Sequence, residues 1–178
     1  NFTVNTTIDI VDAIPGDGFC DDGSGNCSLR AAIQESNAIG GTHIITLPTG
    51  IYVLSIVGVN EDTCSTGDLD ILTTITINGV NPSGTLISGD SLDRVFHVLS
   101  AGTLNLNLLS VTEGYVNIGH GGGILNHGTL NLNNVHINNN SNALMHGAQQ
   151  AGGYGGGIAN FGLASMNNST VFNNSAVG

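Results

Sequence analysis

Three features of this sequence predict an all-β chain, a solenoid of stacked parallel strands with one short helix near its start. The first is strand chemistry. Short stretches such as HIITL, IYVLSI, LTTITI, TLISG, RVFHVLS and TLNLNLLSV are β-branched or Leu-rich, alternate apolar with polar, and are broken by Gly, Asn and Asp. The second is direct repetition. GGGILNHGTLNLNNVHINNN begins at Gly121, and GGGIANFGLASMNNSTVFNN begins at Gly155. The third is a wider period. TITING, TLNLNLLSV, TLNLNNVHI and LASMNNSTV recur at about 28 to 34 residues, the range of solenoid repeats. Strands of three to six residues at that period stack in register more naturally than they form hairpins.

The chain opens in a strand-like NFTVNTT, as a mature secreted chain does. An acidic, Gly-rich loop with two cysteines follows. CSLRAAIQESNAIGG is then the one convincing helix. Ser28 suits its N-cap, Leu29, Ala32, Ile33 and Ala38 make its apolar face, and Gly40 and Gly41 end it. A helix there reads as a lid over the first repeat, which otherwise exposes apolar side chains and strand edges. Residues 1–41 are therefore expected to form a cap, and residues 42–178 the repeats, continuing beyond Gly178. Asn recurs at matched places, Asn126 with Asn160, and Asn133 and Asn134 with Asn167 and Asn168. Stacked amides form hydrogen-bonded ladders. One repeat cannot bury its own apolar face, which explains why the chain says the same thing again.

Composition excludes several functions. The chain has 178 residues and 13 acids against two cations, Arg30 and Arg94, for a net charge of -11. Phosphate binding needs clustered Lys and Arg, so nucleic acid is excluded as a partner, and an anionic membrane surface likewise. No apolar run is long enough to insert in a membrane. Cys20 and Cys27 are spaced for a local disulfide and an oxidising compartment. Cys64 is left over. It is a free thiol, an intermolecular partner, or half of a different pairing.

GDGFCDDGSGNCSLRAAIQESNA resembles the N-terminal motif of the bacterial CSLREA-domain proteins. NEDTCSTGDLDI, DRVFHV and the GGGI-x-N-x-G repeats extend the likeness over nearly the whole chain. The repeats are also similar to those of chlamydial polymorphic outer-membrane proteins, which are adhesins. The resemblance implies a right-handed parallel β-helix, secreted or surface-exposed. It says little about biochemistry, since most such proteins have no assigned activity. Ala31 stands where the motif has Glu, and Cys64 where a small residue is expected.

Four constellations carry candidate chemistry. Asp17, Asp21, Asp22 and Asn26 offer oxygen ligands at a spacing loosely like a calcium loop, without matching the EF-hand pattern; the alternative is an acidic turn closed by the disulfide. Asp68 and Asp70 share one face of a strand, with Glu61 and Asp62 folding back beside them. They are read as ion-pair partners of Arg30, as calcium ligands, or as a hydrolytic acid and base. Asp90, Asp93 and Arg94 are expected to form a corner network, chiefly an Asp93–Arg94 ion pair. Of the six histidines, His43, His97, His120, His127, His136 and His146, two or three of His120, His127 and His136 are placed to share a face and bind a transition metal; the alternative is ordinary surface or stacked histidines.

The expected function is an extracellular structural or adhesive β-solenoid, self-assembling as a filament or surface-layer subunit. Its expected partners are other copies of itself, surface components or glycans. The competing reading is a calcium-dependent glycan-binding module or a polysaccharide hydrolase or lyase. An enzyme of that kind needs a groove with carboxylates and sugar-stacking aromatics. This chain has eight scattered aromatics and no Trp.

Overall fold

The structure is a computed structural model that describes residues 1–143 and 154–176; His146 lies outside the described residues. In chain order the elements are β1 (Phe2–Thr3), α1 (Leu29–Ile39), β2 (Thr42–Thr46), β3 (Gly50–Val53), β4 (Leu69–Ile71), β5 (Thr74–Asn78), β6 (Thr85–Ser88), β7 (Phe96–Val98) and β8 (Thr103–Thr112). There follow β9 (Tyr115–Val116), β10 (Ile124–Asn126), β11 (Thr129–Asn138), β12 (Ser141–Asn142), β13 (Ile158–Asn160), β14 (Leu163–Asn167), β15 (Thr170–Phe172) and β16 (Ser175–Ala176). The described residues are thus strand-rich with one helix, as expected.

The strands form three sheets, and every pairing is parallel. The first sheet runs β1-β2-β5-β8-β11-β14, with β3, β6 and β15 alongside; the second runs β4-β7-β10-β13, and the third β9-β12-β16. From β4 onward the chain visits the second sheet, then the first, and from β9 also the third, before returning. Like residues therefore stack.

Thr76, Asn105, Asn131 and Ser165 occupy one register column, separated by 29, 26 and 34 residues. Their side chains form a continuous ladder. Asn105 donates to Thr76 at 3.0 Å, Asn131 to Asn105 at 2.9 Å, and Ser165 to Asn131 at 2.6 Å. A second ladder runs through Asn78, Asn107, Asn133 and Asn167. Between these outward columns lie inward ones. Ile75, Leu104 and Leu130 stack in one, and Ile77, Leu106 and Leu132 in the next, all buried. Each such Leu contributes about 1.5–3 kcal/mol by leaving water.

Two expectations need correction. Strands β8 and β11 are ten residues long rather than three to six. Each turns a corner within its length, at Leu108 (φ 57°) and Asn134 (φ 53°), and pairing skips these two residues and resumes in the same register beyond the bend. Asn168 (φ 47°) occupies the same corner one repeat on. Asn134 and Asn168 are thus corner residues, because Asn tolerates the left-handed region, and the ladder belongs to Asn133 and Asn167.

Helix α1 begins where expected. The Ser28 hydroxyl accepts the Ala31 amide at 3.0 Å, and Gly40 (φ 73°) closes the other end. Leu29, Ala32 and Ile33 enter the common core, whereas Ala38 is exposed. The helix packs against β2, second in the first sheet after β1, and against β4, an edge strand of the second sheet. In the GGGI corner, a Cβ on Gly122 would lie 2.2 Å from the Ser141 carbonyl oxygen and 2.5 Å from that of Gly156. Only glycine lets neighbouring repeats approach that closely.

Candidate functional site

The site grows from β4. Leu69 and Ile71 point into the core, which leaves Asp70 on the opposite face, in register with His97 of β7. Asp68, two residues earlier, shares that face, as the sequence predicts. Both are almost fully buried, at 3% and 0% exposure. Asp62 returns from the preceding loop as expected. Its carboxylate lies 3.3 Å from His97 Nδ1, and Asp70 Oδ1 lies 3.4 Å from the same nitrogen.

Glu61 does something else. It accepts the amides of Thr63, Ser65 and Thr66 and the hydroxyls of Thr63 and Ser65, pinning the loop that carries Asp62. Burial pushes its carboxyl up, but these donors, Thr63 foremost, leave it below the ordinary value.

The ion pairs differ from those expected. Arg30 is fully buried, but its carboxylate partner is Asp9, at 2.7 Å, not Asp68 or Asp70. It reaches the β4 region only through backbone, donating to the carbonyls of Cys64, Gly67 and Asp68. Asp9 also accepts the amides of Ser55 and Ile56.

Arg94 takes Asp68 instead. Its Nε lies 2.5 Å from Asp68 Oδ2, although the direction is not that of a hydrogen bond, and its Nη1 donates to the His120 carbonyl. Asp93 accepts the Arg94 amide rather than the guanidinium, and Asp90 is exposed and outside the cluster. Burial pushes Asp68 up to about 7 against the pull of Arg94, and the nearby Asp70 and Asp93 carboxylates reinforce it. Burial raises Asp70 and Asp93 as well. Beside Asp93 and Arg94 opens a groove of about 230 Å³, bordered by Asn60, Tyr115 and Asn117.

The histidines meet in a different set from the one expected. His97 Nε2 lies 3.2 Å from His127 Nδ1. His127 stacks on Phe161 at 5.4 Å between centroids, and His120 stacks on Tyr154 at 5.1 Å while meeting the Phe161 ring edge-on. His136 stands apart, against Phe172. His120 and His127 thus share a face as predicted, but His97 replaces His136. A signal for His97 existed: aligning LDI of one repeat with FHV of the next sets Asp70 opposite His97. Burial depresses His127, and the neighbouring His97 and Arg94 charges add to that.

Cys20 and Cys27 form the expected disulfide, the bond of an oxidising, extracellular environment. Cys64 is a buried free thiol among the described residues, and burial pushes it up to about 12. In the acidic loop, each expected calcium ligand bonds its own turn. Asp17 accepts the Phe19 amide, and Asp21 accepts those of Gly23 and Gly25. Asp22 accepts Ser24 and Asn26, and its hydrogen bonds from the Ser24 hydroxyl and amide hold it down at about 2. The loop is tied to α1 through Glu35, which accepts the amides of Gly16 and Gly18.

No protein-family model, curated protein or solved structure matches this chain. Among the described residues, no helix is long and apolar enough to cross a membrane.

Proposed function

We propose that this chain is a structural or adhesive module of an extracellular protein, wound as a right-handed parallel β-helix of the CSLREA-like kind. The observation that carries this reading is the in-register stacking of polar ladders and apolar columns across successive repeats, a scaffold-like architecture that a further repeat can extend. Met166 and Val171 continue the inward columns of Leu132 and Ile137, yet they are 49% and 43% exposed. Strands β14 and β15 are exposed along their whole length. Apolar columns and parallel edges left open in this way are templates for another repeat of the same kind. Further repeats of the same chain supply one, and so does a second copy docked on this face.

Sedimentation velocity over a wide concentration range tests the proposal. The expected result is association that Met166→Asp abolishes without loss of the circular-dichroism spectrum. A monomer at every concentration contradicts it.

A second reading, a glycan-binding module, is favoured by the exposed Tyr154 and Phe161 rings gathered with His120 and His127. Flat aromatic faces of this sort stack on sugar rings. Retention on polysaccharide that Tyr154→Ala removes selects this reading, and sensitivity to EDTA brings in calcium through the loop carrying Asp17, Asp21, Asp22 and Asn26.

A further inference from the structure

We propose that Asp62, Asp70 and His97 form a binding site for a divalent transition-metal ion of the zinc class. The three side chains come from three different places: the loop before β4, β4 itself and β7. Each offers one ligand atom, and these atoms all lie within 4.8 Å of one another.

The spacing fits the ion. A tetrahedral centre with bonds of about 2.0–2.2 Å sets its ligand atoms about 3.3–3.5 Å apart. The two contacts of His97 Nδ1 with Asp62 and Asp70 are 3.3 and 3.4 Å. Ordinary hydrogen bonds from nitrogen to a carboxylate are shorter, about 2.7–2.9 Å.

A second, independent observation points to a missing partner. Asp70 is completely buried, and its Oδ1 has no well-directed hydrogen-bond donor: its one close polar neighbour is His97 Nδ1, at a long 3.4 Å. A buried carboxylate oxygen left so is costly unless something positive meets it. Its other oxygen is already fixed, because Oδ2 accepts the Cys64 amide at 2.8 Å. The carboxylate is thus held with one oxygen committed to the backbone and the other presented.

His97 is held in the same manner. With Nδ1 turned to the carboxylates, Nε2 faces His127 Nδ1 at 3.2 Å, and an Nε2–H donated there selects the tautomer whose Nδ1 lone pair is free for a metal. Both guanidinium groups of the chain are paired with other carboxylates, Arg94 with Asp68 and Arg30 with Asp9. Asp62 is 65% exposed on its side chain, so the site has a mouth, and water completes the coordination. One imidazole with two carboxylates suits zinc, manganese or cobalt. The imidazole disfavours calcium, which takes oxygen ligands.

The test uses the whole chain, stripped with a chelator and dialysed. Zinc is titrated calorimetrically, and cobalt(II) is added separately to read visible absorption. The expected result is one zinc per chain, undisturbed by excess calcium, with cobalt bands of low coordination number. Asp62→Ala, on the exposed side, is expected to weaken zinc at least 10-fold while leaving the apo melting temperature unchanged. His97→Ala is expected to abolish the cobalt spectrum, and His127→Ala to weaken zinc by about 10- to 100-fold through loss of the tautomer lock. No binding by the native chain overturns the proposal. So does 1:1 binding that survives both Asp62→Ala and His97→Ala, which would put the ion elsewhere.

Discussion

Leu108 occupies the left-handed region at φ 57°, where the equivalent corners of the next two repeats carry Asn134 and Asn168. A residue with a Cβ pays about 1–2 kcal/mol there, and Asn less. Leu108 is also 39% exposed, so little packing is lost on replacing it. Leu108→Asn is expected to stabilise the chain by about 1 kcal/mol, read as a higher midpoint in urea; a lower midpoint would show that Leu108 packs more than it strains.

Asp22 offers a pH test at the same scale. Its folded value near 2 lies below the unsatisfied value of 3.8, so its contribution to stability is full above 3.8 and is lost as the pH falls through 2. A carboxyl titration of Asp22 followed by NMR, with the Ser24 amide moving in step, should show a midpoint near 2. A midpoint at 3.8 would mean that the loop hydrogen bonds do not persist in solution.

At the scale of elements, Arg30 joins what the repeats do not. It carries α1 into contact with Asp9 of the N-terminal segment and with the backbone of the turn before β4. Removing it leaves a buried carboxylate and three carbonyls short of a donor. Arg30→Ala is expected to cost about 3–5 kcal/mol by denaturant unfolding, and Arg30→Lys to recover little, because an ammonium cannot reproduce the fork. A loss below 1 kcal/mol would show that water replaces the guanidinium.

These partners also mark where the sequence is legible. The helix, its Ser28 cap and the Cys20–Cys27 bond follow from local spacing. The register columns follow from repetition, since residues one repeat apart must lie on one another. Asp9 is 21 residues from Arg30, in a segment with no periodicity, so nothing local points to it. The sequence offers Arg30 the acidic pair Asp68 and Asp70 instead, whose backbone neighbourhood it does reach. The tie of Glu35 to Gly16 and Gly18 was hidden in the same way: loop geometry decided it, and loop geometry has no repeat. His97 was legible in principle, through the alignment of LDI with FHV.

At the scale of the whole molecule, α1 lies against the first strands, and the opposite end presents Met166, Val171 and the exposed edges of β14 and β15. A face of this kind accepts a further repeat, from the same chain or from another copy, and the second case is the one that association measures. With a net charge of -11, copies repel at long range, so association should strengthen as salt screens them.

The most direct measurement is electron microscopy of the purified chain, concentrated at moderate salt, beside the Met166→Asp variant. The account predicts elongated particles joined end to end through the β14–β15 face, with strands spaced about 4.8 Å along the long axis, and none in the variant. Uniform single particles at every concentration, identical in chain and variant, would contradict it.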